Sequence, residues 1–469
     1  MPAPASVLAA LDRADERTLV DLIDLARIPS VSAAGFDPRH VVRSAERTAE
    51  LCAGAGLTGV EVVRLGDAHP YVVAEGRATR ADAPTVLLYA HHDVQPPGRP
   101  DRWETPPFEP TLRRDGRLYG RGVVDDKAGL LLHLAALRAW RDAEGGLPVH
   151  VKLVVEGEEE IGSAHLAAFL AAHRERLAAD VIVLSDTANL ATGLPSLTTS
   201  LRGLVAIDVL VRALDHPLHS GMWGGPMPDA ASALTCLLAR LWDADGQVAV
   251  PGLAADAPEP TAAERARLAA LPFDEAVFRR DGGLVATARF AGEPERSAYE
   301  RLWTRPAVAL TALEGMPLAT AANQLMAEAR ARVGVRLAPG QDAARVRDLV
   351  TAFLRRDPPW GVTVETTCET ATPGWSTETR GPAFDAARRA LAAGFGRAPV
   401  EIGCGGSIPF VAPFADELGG VPALLLGLED PVCNAHGENE SLDLDDFRKA
   451  ARASAHLLAE LAGLEPRAR

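Results

Sequence analysis

The sequence is short of cysteine, of lysine and of long apolar runs. Five cysteines, Cys52, Cys236, Cys368, Cys404 and Cys433, are spread over 469 residues, and no two form a CxxC pair. That argues against a disulfide framework and against a thiolate zinc cluster, and it implies a reducing compartment. No apolar stretch approaches the roughly 18 residues of a membrane span. The N-terminal string MPAPASVLAALDRADERT has no basic segment ahead of a long apolar stretch. No secretory signal is therefore expected, and the expected location is cytoplasmic. Positive charge is also scarce: 48 Lys and Arg against 63 Asp and Glu give a formal net charge of −15. A general nucleic-acid binder needs a basic face, so that class is set aside. Only Lys127, Lys152 and Lys449 are lysines; the arginine excess reflects coding bias and carries no functional content. No serine sits in GxSxG, which removes an elbow-type serine hydrolase. No GxxxxGK[ST] occurs, which removes a phosphate-binding loop enzyme.

What is present is ordinary for a globular protein, with 47% apolar and 24% charged residues. The length suggests two or three domains at about 150 residues each. Leu19, Leu22, Ile23 and Leu25 recur at helical spacing until Pro29. Three runs read as buried strands: TVLLY (85–89), VKLVV (151–155) and DVIVL (180–184). Helical segments at 130–140 and 164–177 separate them, and strands alternating with helices imply a largely parallel sheet covered on both faces. Past residue 200 the character changes. Strands are expected at 204–211, 331–337 and 361–365. Helices are expected at 229–241, with Asp229 as cap, and at 342–355. The stretch 245–300 reads as loop-heavy. The fold class is therefore α/β, a larger domain of residues 1–200 and 372–469 carrying an inserted smaller α+β domain of residues 201–371.

The chemistry collects at strand ends, where sites in open α/β sheets lie. The first strand ends in YAHHDVQP with His91 and Asp93, the second in VEGEEEIGS with Glu158, Glu159 and Glu160, the third in LSD with Asp186. Asp125 and Asp126 stand in YGRGVVDDKAG before a helix, and His436 lies in the polar loop NAHGENESL. Imidazoles and carboxylates without thiolates suit catalytic zinc, or manganese or cobalt. Two adjacent metals need a bridging carboxylate and separate terminal ligands, and this inventory supplies them. Each motif alone has an ordinary structural reading; their order after apolar strands makes the joint reading strong.

The chain resembles the co-catalytic metallopeptidase family that includes carnosine-type dipeptidases, aminoacylases, acetylornithine deacetylase and glutamate carboxypeptidase. The matching strings are IPSVS (28–32), YAHHDVQP (89–96), YGRGVVDDKAG (119–129), EGEEEIGS (156–163), LSD (184–186), HSGMWGG (219–225), GGSIP (405–409) and NAHGENESL (434–442). They run in family order along nearly the whole chain, and YxHxDVQP with HSGxxGG is similar to the dipeptidase branch. The resemblance implies that Asp125 bridges two divalent ions, zinc or else manganese or cobalt. His91 and Asp186 would complete one ion, Glu160 and His436 the other. Glu159 would be the general base, Asp93 would hold His91, and Asp126 would be structural. His219 would donate to the oxyanion, Arg336 would grip the substrate carboxylate, and Asn323 and Ser407 would be lesser substrate contacts. It implies cleavage of dipeptides or short peptides with a free carboxylate. N-acyl amino-acid deacylation is the alternative, and a non-catalytic binding protein would be expected to show a broken ligand set. It also implies a homodimer through the inserted lid/dimerisation domain, with His219 reaching the partner's metals, and no membrane or nucleic-acid partner. Two strings depart from the pattern: Ile402 to Cys404 lack the usual charged residues, and STETRGP after Trp375 lacks the histidine of carnosine-type enzymes.

Overall fold

Strand Thr85–His91 is buried at all seven positions and organises the main sheet. Its side chains alternate between two cores. Val86, Leu88 and Ala90 enter one, and Leu87 and Tyr89 the other. The computed structural model describes residues 1–406, 411 and 419–467. Among the described residues the main sheet has nine strands. In spatial order they are Thr58–Val63, Tyr71–Gly76, His150–Glu156, Thr85–His91, Val181–Ala188, Ala423–Glu429, Ser196–Leu201 and Trp375–Ser376, with Val400–Cys404 paired to Ser196–Leu201. The four central strands, from His150–Glu156 to Ala423–Glu429, are parallel. The flanks turn antiparallel at Tyr71–Gly76 and at Ser196–Leu201. The largely parallel α/β sheet expected from the sequence is thus its centre, where both faces are covered.

Helix Lys127–Glu144 lies on one face between helices Ala5–Ala26 and Leu444–Leu461. It is buried without a break from Lys127 to Trp140, as a helix that is apolar nearly all round must be. Leu166, Phe169 and Leu170 of helix Leu166–Leu177 cover the other face.

A second, four-stranded antiparallel sheet runs Ala307–Glu314, Glu328–Leu337, Gly203–Arg212, Thr363–Thr372. Strand Gly203–Arg212 alternates buried and half-buried positions until its last residue, the mark of a sheet with one covered face. Helices Ala230–Ala239 and Ala343–Arg355 cover that face with Leu234, Leu237, Val346 and Val350. Asp229 caps the first, accepting the Ser232 N–H at 2.8 Å.

Two expectations need correction. Strand Thr363–Thr372 is longer than the expected 361–365, because its inner positions are threonines and a cysteine as well as Val364. The stretch 245–300 holds helices Ala262–Ala269, Glu275–Asp281 and Ala298–Trp303. Thr261 with Glu264, and Ser297 with Glu300, form capping boxes that start the first and third. Leu268, Leu271, Tyr299 and Trp303 of this stretch pack with Ile402 of the main sheet.

Candidate metal centre

The parallel strands carry the chemistry to one edge. His91 is the last residue of its strand, with His150–Glu156 on one side and Val181–Ala188 on the other. Glu159 and Glu160 follow the former in a short 3-10 turn, Glu159–Ile161. Asp186 lies two residues inside its strand and not at its end, because Gly427 and Glu429 continue the pairing to Thr187 and Ala188. Asp125 and Asp126, joined by a cis peptide, precede helix Lys127–Glu144.

Asp125 stands between two histidines. Its Oδ1 is 3.0 Å from His91 Nε2, and its Oδ2 is 2.9 Å from His436 Nε2. Asp186 Oδ1 lies 3.7 Å from His91 Nε2, and Glu160 Oε2 lies 3.3 Å from His436 Nε2. Each oxygen of one carboxylate therefore faces its own histidine–carboxylate pair. The His91 side chain is fully buried, whereas that of His436 is 59% exposed, so the cluster has a closed floor and an open side. His436 takes a φ of 63°, in the left-handed region that non-glycine residues rarely adopt.

Donor atoms of His91, Asp125 and Glu160 lie within 4.8 Å of one another, as do those of His91, Asp126 and Asp186, and of Asp125, Asp186 and Glu429. Nitrogen and oxygen donors with no thiolate fit zinc, manganese or cobalt. The electrostatics call for a cation. Burial opposes charge on His91, yet the Asp186 carboxylate and the hydrogen bond to Asp125 hold its pKa well above the usual histidine range. Hydrogen bonds to Asp125 and Glu160 lift His436 to about 11. Burial and then the Asp125 charge push Glu160 up to about 7. Burial raises Glu159 well above the carboxylate range; His91 opposes this, and Asp186 and Glu160 add to it. Burial works in the same direction on Asp125, but the two histidines outweigh it and hold that carboxyl low.

Neighbours hold these groups in place. Asp93 Oδ2 accepts the Ser32 hydroxyl at 2.7 Å and the Glu160 N–H at 3.1 Å. The nearer contact of His91 Nδ1 is the Asp93 main-chain carbonyl at 3.1 Å, with the Asp93 carboxylate at 3.5 Å. Glu158 differs from its two neighbours: it accepts the Tyr71 hydroxyl at 3.1 Å and the His165 N–H at 2.9 Å. Among the described residues the Glu159 carboxylate accepts no hydrogen bond.

The remaining described candidates belong to other elements. His219 pairs with Gln324 in a two-residue ladder, and the Ser220 N–H donates to the Asn323 carbonyl at 3.0 Å. His219 and Asn323 are therefore neighbours, both exposed. Among the described residues no hydrogen bond or ion pair joins either to the His91–Asp125 cluster. Arg336 is half-buried on strand Glu328–Leu337, close enough to Arg202 for its charge to act there. Burial, then that charge, hold the Arg202 pKa down at about 10. Arg202 Nε donates to the Gly405 carbonyl at 3.4 Å. Ser407, two residues further on, lies outside the described residues.

The family model of Peptidase family M20/M25/M40 matches residues 87–460. The chain belongs to this family. The M20 chain is 33% identical over 428 residues to the cysteinylglycine-S-conjugate dipeptidase of Corynebacterium striatum, covering 90% of this chain and 91% of that one. It is 28% identical over 388 residues to the human Beta-Ala-His dipeptidase, covering 81% and 75%. The crystal structure of human carnosine dipeptidase 1 superposes with a TM-score of 0.87 at 26% identity, covering 99% of this chain and 100% of that one. This M20 chain is a metallopeptidase of the dipeptidase branch, as the ordered strings implied. No helix of the described residues is long and apolar enough to cross a membrane.

Four residues of this M20 peptidase escaped the sequence reading. Glu440 is buried; it accepts the Val124 and Asp125 N–H groups at 3.1 and 3.3 Å and the Arg121 guanidinium at 2.7 Å, and so anchors the Asp125 turn. Gln95 grips Glu160 through its N–H at 3.0 Å and its side-chain amide at 2.8 Å. Glu429 ends its strand, and the strand-end rule that selected His91 reaches it too. Arg202 carried no signal in the sequence.

Proposed function

We propose that this peptidase cleaves the amide bond of dipeptides or short peptides with a free α-carboxylate, using two divalent ions that share Asp125. The observation that carries the reading is the facing of the two Asp125 oxygens to His91 and His436. His91 and Asp186 would hold one ion with Asp125, and Glu160 and His436 the other. Zinc is the ion of choice for this donor set, with manganese or cobalt as substitutes. When bound, such ions supply a water of lowered pKa and a polarised carbonyl.

The chain's own residues do the rest. Glu159, without a hydrogen-bond partner among the described residues, takes a proton from the attacking water and returns it to the leaving amine nitrogen. Asp93 orients His91 and ties it to Glu160. Arg336 takes the substrate α-carboxylate, since a guanidinium binds carboxylates with two parallel hydrogen bonds. Asn323 and Ser407 are further substrate contacts, and His219 donates to the developing oxyanion.

His219 acts on the metal centre of a second copy in this reading; among the described residues no hydrogen bond or ion pair joins it to its own chain's cluster. The homodimer forms through the inserted domain. Strand Ala307–Glu314 is an edge strand exposed from Ala309 onward, and Leu313 and Leu318 are 65% and 96% exposed. Such an edge is a template for pairing. Residues 1–200 and 372–469 form the catalytic body and 201–371 the insertion, with the 262–303 stretch packed back on the body at Ile402. The unpaired cysteines agree with a cytoplasmic setting.

The test is a substrate panel of free dipeptides, C-terminally amidated dipeptides and N-acyl amino acids, offered to the metal-loaded protein. Turnover of free dipeptides with KM raised or turnover lost on amidation supports the reading. Equal rates on free and amidated dipeptides would remove Arg336 from the account, and turnover of N-acyl amino acids alone would make the enzyme a deacylase.

A further inference from the structure

The two ions of the proposed centre would draw their separate ligands from different kinds of backbone. His91 and Asp186 belong to adjacent parallel strands of the main sheet, where ladder hydrogen bonds fix the main chain. Glu160 lies in a short 3-10 turn, and His436 in the connection between strands Ala423–Glu429 and Ser441–Asp443. No ladder fixes these two, so the groups behind them must set their positions.

Arg121 is a buried cation where those turns meet, with only 1% of its surface exposed. Its Nη1 donates to Glu440 Oε2 at 2.7 Å, and its Nη2 to the Gly437 carbonyl at 3.0 Å and the Pro96 carbonyl at 3.2 Å. Each contact leads to one ligand of the same ion. Glu440 accepts the Asp125 N–H. Gly437 follows His436 in the chain, and Pro96 follows Gln95, which holds the Glu160 carboxylate. Among the described residues the guanidinium makes no hydrogen bond to strand Thr85–His91 or strand Val181–Ala188. The Trp103 ring covers the guanidinium at 5.7 Å, and its indole N–H donates to the Pro97 carbonyl at 2.7 Å. One planar fork thus joins three segments that are far apart in the sequence.

We infer that Arg121 is the positioning residue for the ion held by Asp125, Glu160 and His436, and that the ion held by His91 and Asp186 does not depend on it. The inference rests on the two-ion reading above. Arg121→Lys separates the two roles of the side chain. A lysine keeps a positive charge against Glu440, so that buried carboxylate is not left unpaired. Glu440 goes on accepting the Val124 and Asp125 N–H groups, and the shared Asp125 stays in place. A point-like ammonium has no fork to span the Gly437 and Pro96 carbonyls as well, so the His436 and Glu160 sides loosen.

The experiment titrates zinc into metal-free wild type and Arg121→Lys, counts bound ions by equilibrium dialysis, and follows folding by circular dichroism. Wild type should bind two ions per chain. Arg121→Lys should keep one at the wild-type Kd and bind the other about 10- to 100-fold more weakly. His436→Ala, which removes a ligand of that second ion, should also keep one ion. Adding Arg121→Lys to it should leave the Kd of the remaining ion unchanged. Equal weakening of both ions, no weakening of either, or further weakening in the double variant would overturn the inference. An Arg121→Lys chain that does not fold would overturn it too, because Arg121 would then serve the fold and not one ion. A folded wild type that binds fewer than two ions would instead overturn the two-ion reading, a result visible without any variant.

Discussion

Three consecutive glutamates meet three different environments, and the differences decide what each can do. Glu158 is spent on the Tyr71 hydroxyl and the His165 N–H. Glu160 is gripped by Gln95 and faces His436. Glu159 is left without a hydrogen bond among the described residues, as a group that must both accept and release a proton requires. Glu159→Gln is therefore expected to retain metal while kcat falls by about 10²–10⁴. Glu160→Gln is expected to lose metal affinity by about tenfold or more. Metal analysis alongside steady-state kinetics checks both, and exchanged phenotypes would show that the two roles are reversed. The sequence reading could place three carboxylates at a strand end, but the hydrogen bonds that tell them apart come from Tyr71, Gln95 and His165, distant in the chain or unmarked by any pattern. Glu440 was hidden for the same reason: its partners are backbone N–H groups more than 300 residues away.

Elements were legible where the chain is uniformly apolar and illegible where polar residues do the inner packing. Strand Thr85–His91 reads directly, being buried throughout. Strand Thr363–Thr372 does not, since threonines occupy several of its inner positions, and the helices between 262 and 303 are too short for periodicity to mark. Helix Lys127–Glu144 carries its own testable element. His133 is buried between the Ser454 hydroxyl at 3.2 Å and the Ser185 hydroxyl at 3.1 Å, tying this helix to the C-terminal helix and to the strand that bears Asp186. Burial holds its pKa down at about 3 against 6.5 for a free histidine. The unfolded chain therefore takes up the proton first as pH falls. The stability that the neutral ring provides is complete above about pH 6.5 and is lost on acidification towards pH 3, at about 1.4 kcal/mol per pH unit within that window. Denaturant midpoints measured at pH 7, 5 and 4 should fall less steeply in His133→Gln than in wild type. Equal slopes would show that the ring is protonated or solvated in the folded protein.

One parallel sheet edge gathers the ligand set, while His219 belongs to a separate two-residue ladder within the inserted segment and Asn323 adjoins it. If two copies complete one another, His219→Ala mixed with Glu159→Gln under subunit exchange should recover activity in up to half of the heterodimer sites, because each intact Glu159 then meets an intact His219. Confirmed exchange without recovery would place His219 in its own chain's site or outside the reaction. Sharing of Asp125 by two metal ions is tested by titrating metal into chelated, dialysed protein. Dipeptide turnover should be nil at zero metal and complete as binding reaches two ions per chain; full turnover from protein free of metal would show that Asp125 bridges no catalytic ion pair.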